Sequence, residues 1–222
     1  MPVNVSIQQD AQEFLNIFFD KMETSLKGTP FSKIFEDIFG GKSCSQIRCS
    51  GCGAVKERKE TFYPLSLEIK GYKNIEESFR KFIAGEEISD YQCDSCNNKC
   101  DVVKRNFLEK TPNYFIVHLQ RMCFNYDKFE NEKVNSRWEF PHDLSVYNYT
   151  ISKEKGIPEM NNEFTYTLKG IVVHYGTADF GHYFSYIKES ENLWIEFNDE
   201  RVREFDPSDI EVECFGGEHW RR

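Results

Sequence analysis

Along the first forty residues the apolar positions recur every three to four residues, the spacing of one helical face. Phe14, Leu15, Phe18 and Met22 form one such stripe. Two overlapping start signals precede it, Ser6 with Gln9 and Asp10 with Glu13, each a capping side chain followed three residues later by an acid or amide. A second helix is predicted from about Thr29 and Pro30, with Ile34, Phe35, Ile38 and Phe39 on one side and a stop at Gly40 and Gly41. A third starts at Asn74, takes Glu77 as its box partner, and carries Ile75, Phe79, Phe82 and Ile83 inward. All three stripes predict core packing.

Elsewhere the period falls to two. Leu65, Leu67 and Ile69 alternate with Ser66 and Glu68, residues 114–119 are apolar on nearly both faces as in a central strand, and residues 166–174 predict a further strand. Residues 183–187 and 193–197 are rich in aromatic and β-branched side chains, with the polar run 188–192 between them, which predicts an antiparallel hairpin. Helices early and a largely antiparallel sheet late make an α+β arrangement. The polar stretches 127–137 and 152–163 predict surface loops.

The hairpin carries candidate chemistry at its open end. A turn centred on Ser190 sets His182 across from Asn198, with Cβ atoms about 4.5–5.5 Å apart. An imidazole oriented by an amide is the base half of a nucleophilic triad, because the orienting group fixes the tautomer while the other ring nitrogen takes the nucleophile's proton. Gly181, lacking Cβ, would let a substrate backbone pass close to the ring. The hairpin alone leaves open a half-buried histidine that caps a strand.

The 222 residues suffice for one large domain or two small ones, and 39% hydrophobic with 15% aromatic residues excludes a disordered chain. A net charge of −9 argues against a nucleic-acid surface. Neither a secretory signal nor a membrane-spanning apolar run is visible, so the expectation is an intracellular protein, cytoplasmic and/or nuclear, without a membrane partner. Eight cysteines in such a setting point to metal or redox chemistry rather than to a disulfide framework.

Cys49-x-x-Cys52 and Cys93-x-x-Cys96 are two knuckles that together offer the four thiolates of a closed tetrahedral shell. Such a shell leaves no position for water, so the expected ion is one structural zinc, contributing folding energy rather than catalysis. Cys100 is a competing ligand, and free or redox cysteines are the alternative reading.

These pieces resemble the ubiquitin-specific protease family of papain-like cysteine deubiquitinases. "QQDAQEF" at residues 8–14 is similar to its glutamine-aspartate box, the four cysteines to its zinc-bearing fingers, and "FPHDLSVYNYT" at 140–150 to its palm motif. "YTLKGIVVHYGTADFGHYFSYI" followed by "WIEFNDERV" resembles its histidine box and third-member box, and the closing "VECFGGE" is similar to that of very large multi-domain members. The resemblance implies a papain-like fold of thumb, palm and fingers with an incomplete thumb. Residues 1–42 would be thumb, 43–110 mainly zinc-binding fingers, and 111–222 mainly palm.

It further implies hydrolysis of the peptide or isopeptide bond after the C-terminal glycine of ubiquitin, with ubiquitin and ubiquitinated proteins as partners and no catalytic cofactor. His182 becomes the general base, Asn198 its orienting residue and Asp199 an auxiliary acid; Asp10, Gly181 and Tyr183 become substrate-binding residues, Asp10 meeting ubiquitin's arginine-rich tail. For Asp10 a helix cap is the equal alternative. Phe180 departs from the family's usual glycine, Met122 from its usual aromatic, and His174 is read as structural. The family's nucleophilic cysteine precedes the glutamine-aspartate box; Cys44, Cys100, Cys123 and Cys214 do not fit it, so the nucleophile is expected upstream of this chain. A catalytically inactive ubiquitin-binding or scaffold remnant, and an unrelated zinc-ribbon interaction module, are the alternatives.

Overall fold

Asp10 begins the first helix as its sequence predicts: its Oδ1 accepts from the backbone N–H groups of Gln12 (2.9 Å) and Glu13 (3.1 Å), two donors that the helix itself leaves unpaired. The computed structural model describes residues 10–217, so the earlier signal at Ser6 and Gln9 lies outside the described residues. In chain order the elements are α1 (Ala11–Leu26), α2 (Ile34–Phe39), β1 (Gly41–Cys49), β2 (Val55–Phe62), β3 (Pro64–Leu67), α3 (Ile75–Ile83), β4 (Glu86–Gln92) and β5 (Lys99–Lys110). There follow β6 (Ile116–Leu119), β7 (Met122–Asn125), β8 (Glu130–Lys133), β9 (Asp143–Ser145), α4 (Ile151–Glu154) and β10 (Thr165–Thr167). The chain then forms β11 (Gly170–Gly176), β12 (Gly181–Ser190), β13 (Leu193–Asn198), β14 (Arg201–Phe205) and α5 (Ile210–Cys214).

Two four-stranded sheets dominate, β2-β1-β5-β4 and β11-β12-β13-β14, both antiparallel. The α+β class is as expected. The main core gathers around α3, β3 and the end of β5, where the Phe79 ring of α3 stacks on Tyr149 at 4.6 Å and the buried Trp138 indole donates to Ser78 Oγ at 3.0 Å. A second core of Val173, Tyr186 and Trp194 lies under one face of the later sheet. No described helix is long and apolar enough to cross a membrane.

Several expectations need correction. In α1 the buried aromatic is Phe19, packed against Phe35, Phe39 and Tyr63, while Phe14 and Phe18 stand exposed. Leu15 and Met22 of the expected stripe are partly buried, and Phe18 keeps an edge contact with the Phe35 ring. α2 starts at Ile34 because residues 29–33 close into tight turns, with Thr29 Oγ1 accepting from Phe31 N. Residues 114–119 are no central strand: among the described residues β6 pairs only with β3, in parallel, after a long excursion through α3 and the first sheet. Apolar character on both faces there reflects contact with the core and the aromatic residues around it. The 127–137 stretch contains a strand, β8, which pairs with β7 around a turn where Asn125 Oδ1 accepts from the backbone of Asp127 and Lys128. The single strand expected over 166–174 is two, β10 and β11, since Leu168 N turns aside to His142 O.

Candidate active site and metal centre

The hairpin of β12 and β13 forms in a different register from the one expected. Ser185 faces Phe197, Tyr186 faces Glu196 and Ile187 faces Ile195, with an irregularity between Lys188 and Ser190 that moves the tip to Glu191 and Asn192. Extending that ladder puts Phe184, not His182, opposite Asn198. The slip is by two positions, so both side chains keep the same face of the sheet, and diagonal neighbours remain within reach of a long side chain. His182 Nε2 lies 2.7 Å from Asn198 Oδ1.

The chemistry of the neighbours sets which atoms meet. Asn198 Nδ2 donates to Glu196 Oε1 at 3.2 Å, and Arg203 Nε donates to Glu196 Oε2 from the facing position on β14. A carboxylate can only accept, so the amide nitrogen belongs on the Glu196 side and the amide oxygen on the histidine side. That oxygen in turn requires the ring's hydrogen on Nε2, leaving the Nδ1 lone pair available. Glu196 is 3% exposed. Burial pushes its carboxyl up, but the Arg203 and Asn198 hydrogen bonds and the nearby arginine charges outweigh it, holding the group below the usual carboxylate range. Glu196 is not among the site residues expected from the sequence. Its signal was there: an acid between Trp194 and Asn198 on one face of a strand that otherwise faces a core.

Asp199 Oδ2 lies 3.8 Å from His182 Nε2, beyond hydrogen-bond reach, on a left-handed turn residue (φ 52°). Asp10 Oδ2 accepts from the Tyr183 hydroxyl at 2.9 Å, while its Oδ1 caps α1. Burial and this bond raise the Tyr183 phenol to about 12; at Asp10 burial raises the carboxyl, and the bonds from Glu13, Tyr183 and Gln12 more than reverse it. Gly181 is required from within the protein: a Cβ there would lie 2.0 Å from His174 Nε2 and 2.3 Å from the Tyr175 carbonyl. His174 is half-buried beneath it, its ring 4.5 Å from that of Tyr183. Phe180, at the departure from the family pattern, is 83% exposed.

Among the described residues no thiol is a hydrogen-bond partner of His182. Cys44 is buried in β1, Cys123 donates to the Glu132 carbonyl, and burial lifts Cys214 to about 12.

The cysteine knuckles are built alike at the far end of the first sheet. Cys49 N donates to Ala54 O and Gly53 N to Cys49 O; Cys93 N donates to Asn98 O and Asn97 N to Cys93 O. Gly53 (φ 74°) and Asn97 (φ 54°) occupy the same left-handed position in each turn. Pairing of the central strands β1 and β5 brings the two turns together, and the thiols of Cys49, Cys52, Cys93 and Cys96 all lie within 4.8 Å of one another. Backbone N–H groups of Cys52 and Gly51 bring the Cys49 thiol down to about 6. Four converging sulfurs with backbone donors that favour thiolate fit a zinc ion. Cys100 Sγ stands 3.7 Å from Cys96 Sγ, a fifth thiol at the edge of the group.

Residues 3–214 match the family model described as ubiquitin carboxyl-terminal hydrolase. The chain is 30% identical to ubiquitin carboxyl-terminal hydrolase 9X of Mus musculus over 98% of its own length, and 32% identical to ubiquitin carboxyl-terminal hydrolase 24 of Homo sapiens over 96%. It spans about a tenth of the length of these relatives (10% and 9%). Among solved structures, the SAGA Ubp8/Sgf11/Sus1/Sgf73 DUB module bound to ubiquitin aldehyde superposes with a TM-score of 0.82 at 30% identity, covering 95% of this chain and 48% of that one. The same module bound to monoubiquitin gives 0.81 at 31%, covering 92% and 46%.

Proposed function

Because this chain belongs to the ubiquitin carboxyl-terminal hydrolase family, whose fold it shares, we propose that its domain cleaves the peptide or isopeptide bond after the C-terminal glycine of ubiquitin. The observation that carries this reading is the 2.7 Å contact of His182 Nε2 with Asn198 Oδ1, which leaves Nδ1 to serve a thiol.

A cysteine on a segment preceding the glutamine-aspartate box supplies the nucleophile. His182 Nδ1 takes its proton, and the thiolate attacks the glycine carbonyl carbon. Collapse of the tetrahedral intermediate breaks the C–N bond. The amine leaves with the proton from His182, and ubiquitin remains as a thioester. His182 then deprotonates a water whose attack releases the carboxylate and restores the thiol. Asn198 holds the ring throughout, and Asp199, beside the same nitrogen, supports the imidazolium.

Asp10 and Tyr183 form the wall that receives ubiquitin's basic tail, and Gly181 lets the strand beside them lie close against His174 and the Tyr175 carbonyl next to His182. Cys49, Cys52, Cys93 and Cys96 hold one zinc, which ties the tips of two hairpins and supplies folding energy. The catalytic step needs no cofactor.

The test is hydrolysis of a ubiquitin C-terminal amide by the domain carrying its upstream cysteine. His182→Ala lowers kcat by the roughly 10²–10⁴-fold that general acid–base catalysis supplies, with ubiquitin affinity retained. Unchanged turnover refutes the base assignment. A thiol-reactive ubiquitin probe that labels Cys44 or Cys123 instead refutes the upstream nucleophile.

A further inference from the structure

Glu196 is a buried carboxylate with two donors, one on each oxygen: Asn198 Nδ2 at Oε1 and Arg203 Nε at Oε2. Its Arg203 partner is exposed and can reach water without it. The Asn198 amide has no such freedom, since its oxygen faces His182 and its nitrogen faces Glu196. An amide in isolation could turn over and offer its NH₂ to His182 Nε2, which would then have to accept. The ring's hydrogen would sit on Nδ1, and a ring protonated there cannot take a proton from a thiol on that side.

We infer that Glu196 is a positioning residue that sets the tautomer of His182 by fixing the orientation of the Asn198 amide. The inference rests on the reading of His182 as general base only for its catalytic consequence; the tautomer relay itself follows from the three contacts.

The isosteric change Glu196→Gln exposes the relay. A glutamine has one accepting oxygen where glutamate has two, and the charged Arg203 claims it as the stronger donor. The glutamine NH₂ then faces Asn198, whose oxygen turns towards it, and whose own NH₂ turns towards His182. One atom changed in a buried side chain reverses both donors between residue 196 and His182, while Arg203 goes on donating.

The experiment is long-range ¹H–¹⁵N spectroscopy of the histidine rings in this chain, read in the neutral form at the alkaline end of a pH series. The parent gives His182 as the Nε2–H tautomer. Glu196→Gln gives Nδ1–H, and adding Arg203→Ala returns it to Nε2–H, because the glutamine oxygen is then released to Asn198. Should Glu196→Gln lose the fold, Glu196→Leu removes both demands and gives a mixture of tautomers. A pure Nε2–H signal in whichever of these two single variants folds overturns the inference.

In the nucleophile-bearing domain, Glu196→Gln lowers kcat with KM unchanged, and Arg203→Ala in that background restores it. Full turnover by His182→Ala would instead reject the base assignment while leaving the tautomer relay standing.

Discussion

Asp10 and Tyr183, 173 positions apart in the chain, are joined by a hydrogen bond of 2.9 Å that ties the start of the first helix to the strand carrying His182. The two oxygens of Asp10 divide the work: Oδ1 caps the helix and Oδ2 accepts from the tyrosine.

That division separates two roles by substitution. Asparagine caps helices as well as aspartate does, so Asp10→Asn loses only the acceptor for the Tyr183 hydroxyl, about 0.5–1.5 kcal/mol, whereas Asp10→Ala loses that and about 1 kcal/mol of capping besides. Both remove the charge that would meet a basic tail. A charge-assisted hydrogen bond is worth about 1.5–3 kcal/mol, so both variants weaken ubiquitin binding by roughly tenfold or more in calorimetry. Undiminished affinity in Asp10→Asn would reduce Asp10 to a cap.

The metal centre is tested by composition as much as by stability. Elemental analysis of the purified protein is expected to give one zinc per chain. Cys49→Ser loses it and melts earlier, and chelation of the parent has the same effect. Cys100→Ser retains the full complement, since four other thiols already converge. Loss of zinc in Cys100→Ser would move the ligand set.

Lys133 links the β7–β8 hairpin to the strand before His182, its Nζ donating to the carbonyls of His174 (2.8 Å) and Gly176 (3.0 Å). Burial, with the nearby Arg121 charge, lowers its pKa to about 8 from 10.5. Below the folded value both states hold the proton, and the folded state bears the cost of the buried charge. Between about 8 and 10.5 the unfolded chain binds more protons, so this group makes stability rise with pH. Lys133→Met removes that rise; parallel stability curves for parent and variant across the window would contradict it.

In the main core, Ser78 is 1% exposed and Trp138 also 1%. Ser78→Ala strands the indole N–H and lowers unfolding free energy by about 1–3 kcal/mol in chemical denaturation. Ser78→Thr, which keeps the acceptor, loses less if its methyl is accommodated.

Periodicity and cap chemistry are local properties, so the sequence already determined that α1 starts at Asp10 and α3 at Asn74, and that a hairpin joins residues 183–187 to 193–197. Ligand spacing is equally local, and it put Cys49, Cys52, Cys93 and Cys96 in two turns of one design. What depends on how distant segments meet had to come from the tertiary structure. The irregularity near Glu189 shifted the register by two, and the period of a strand kept His182 and Asn198 on one face despite it. The parallel pairing of β3 with β6, and the burial of Phe19 rather than Phe14, followed from which surfaces the rest of the chain presented. Only the pairing of β13 with β14 placed Arg203 on Glu196, a contact that helps to keep that buried carboxylate ionised beside the Asn198 amide.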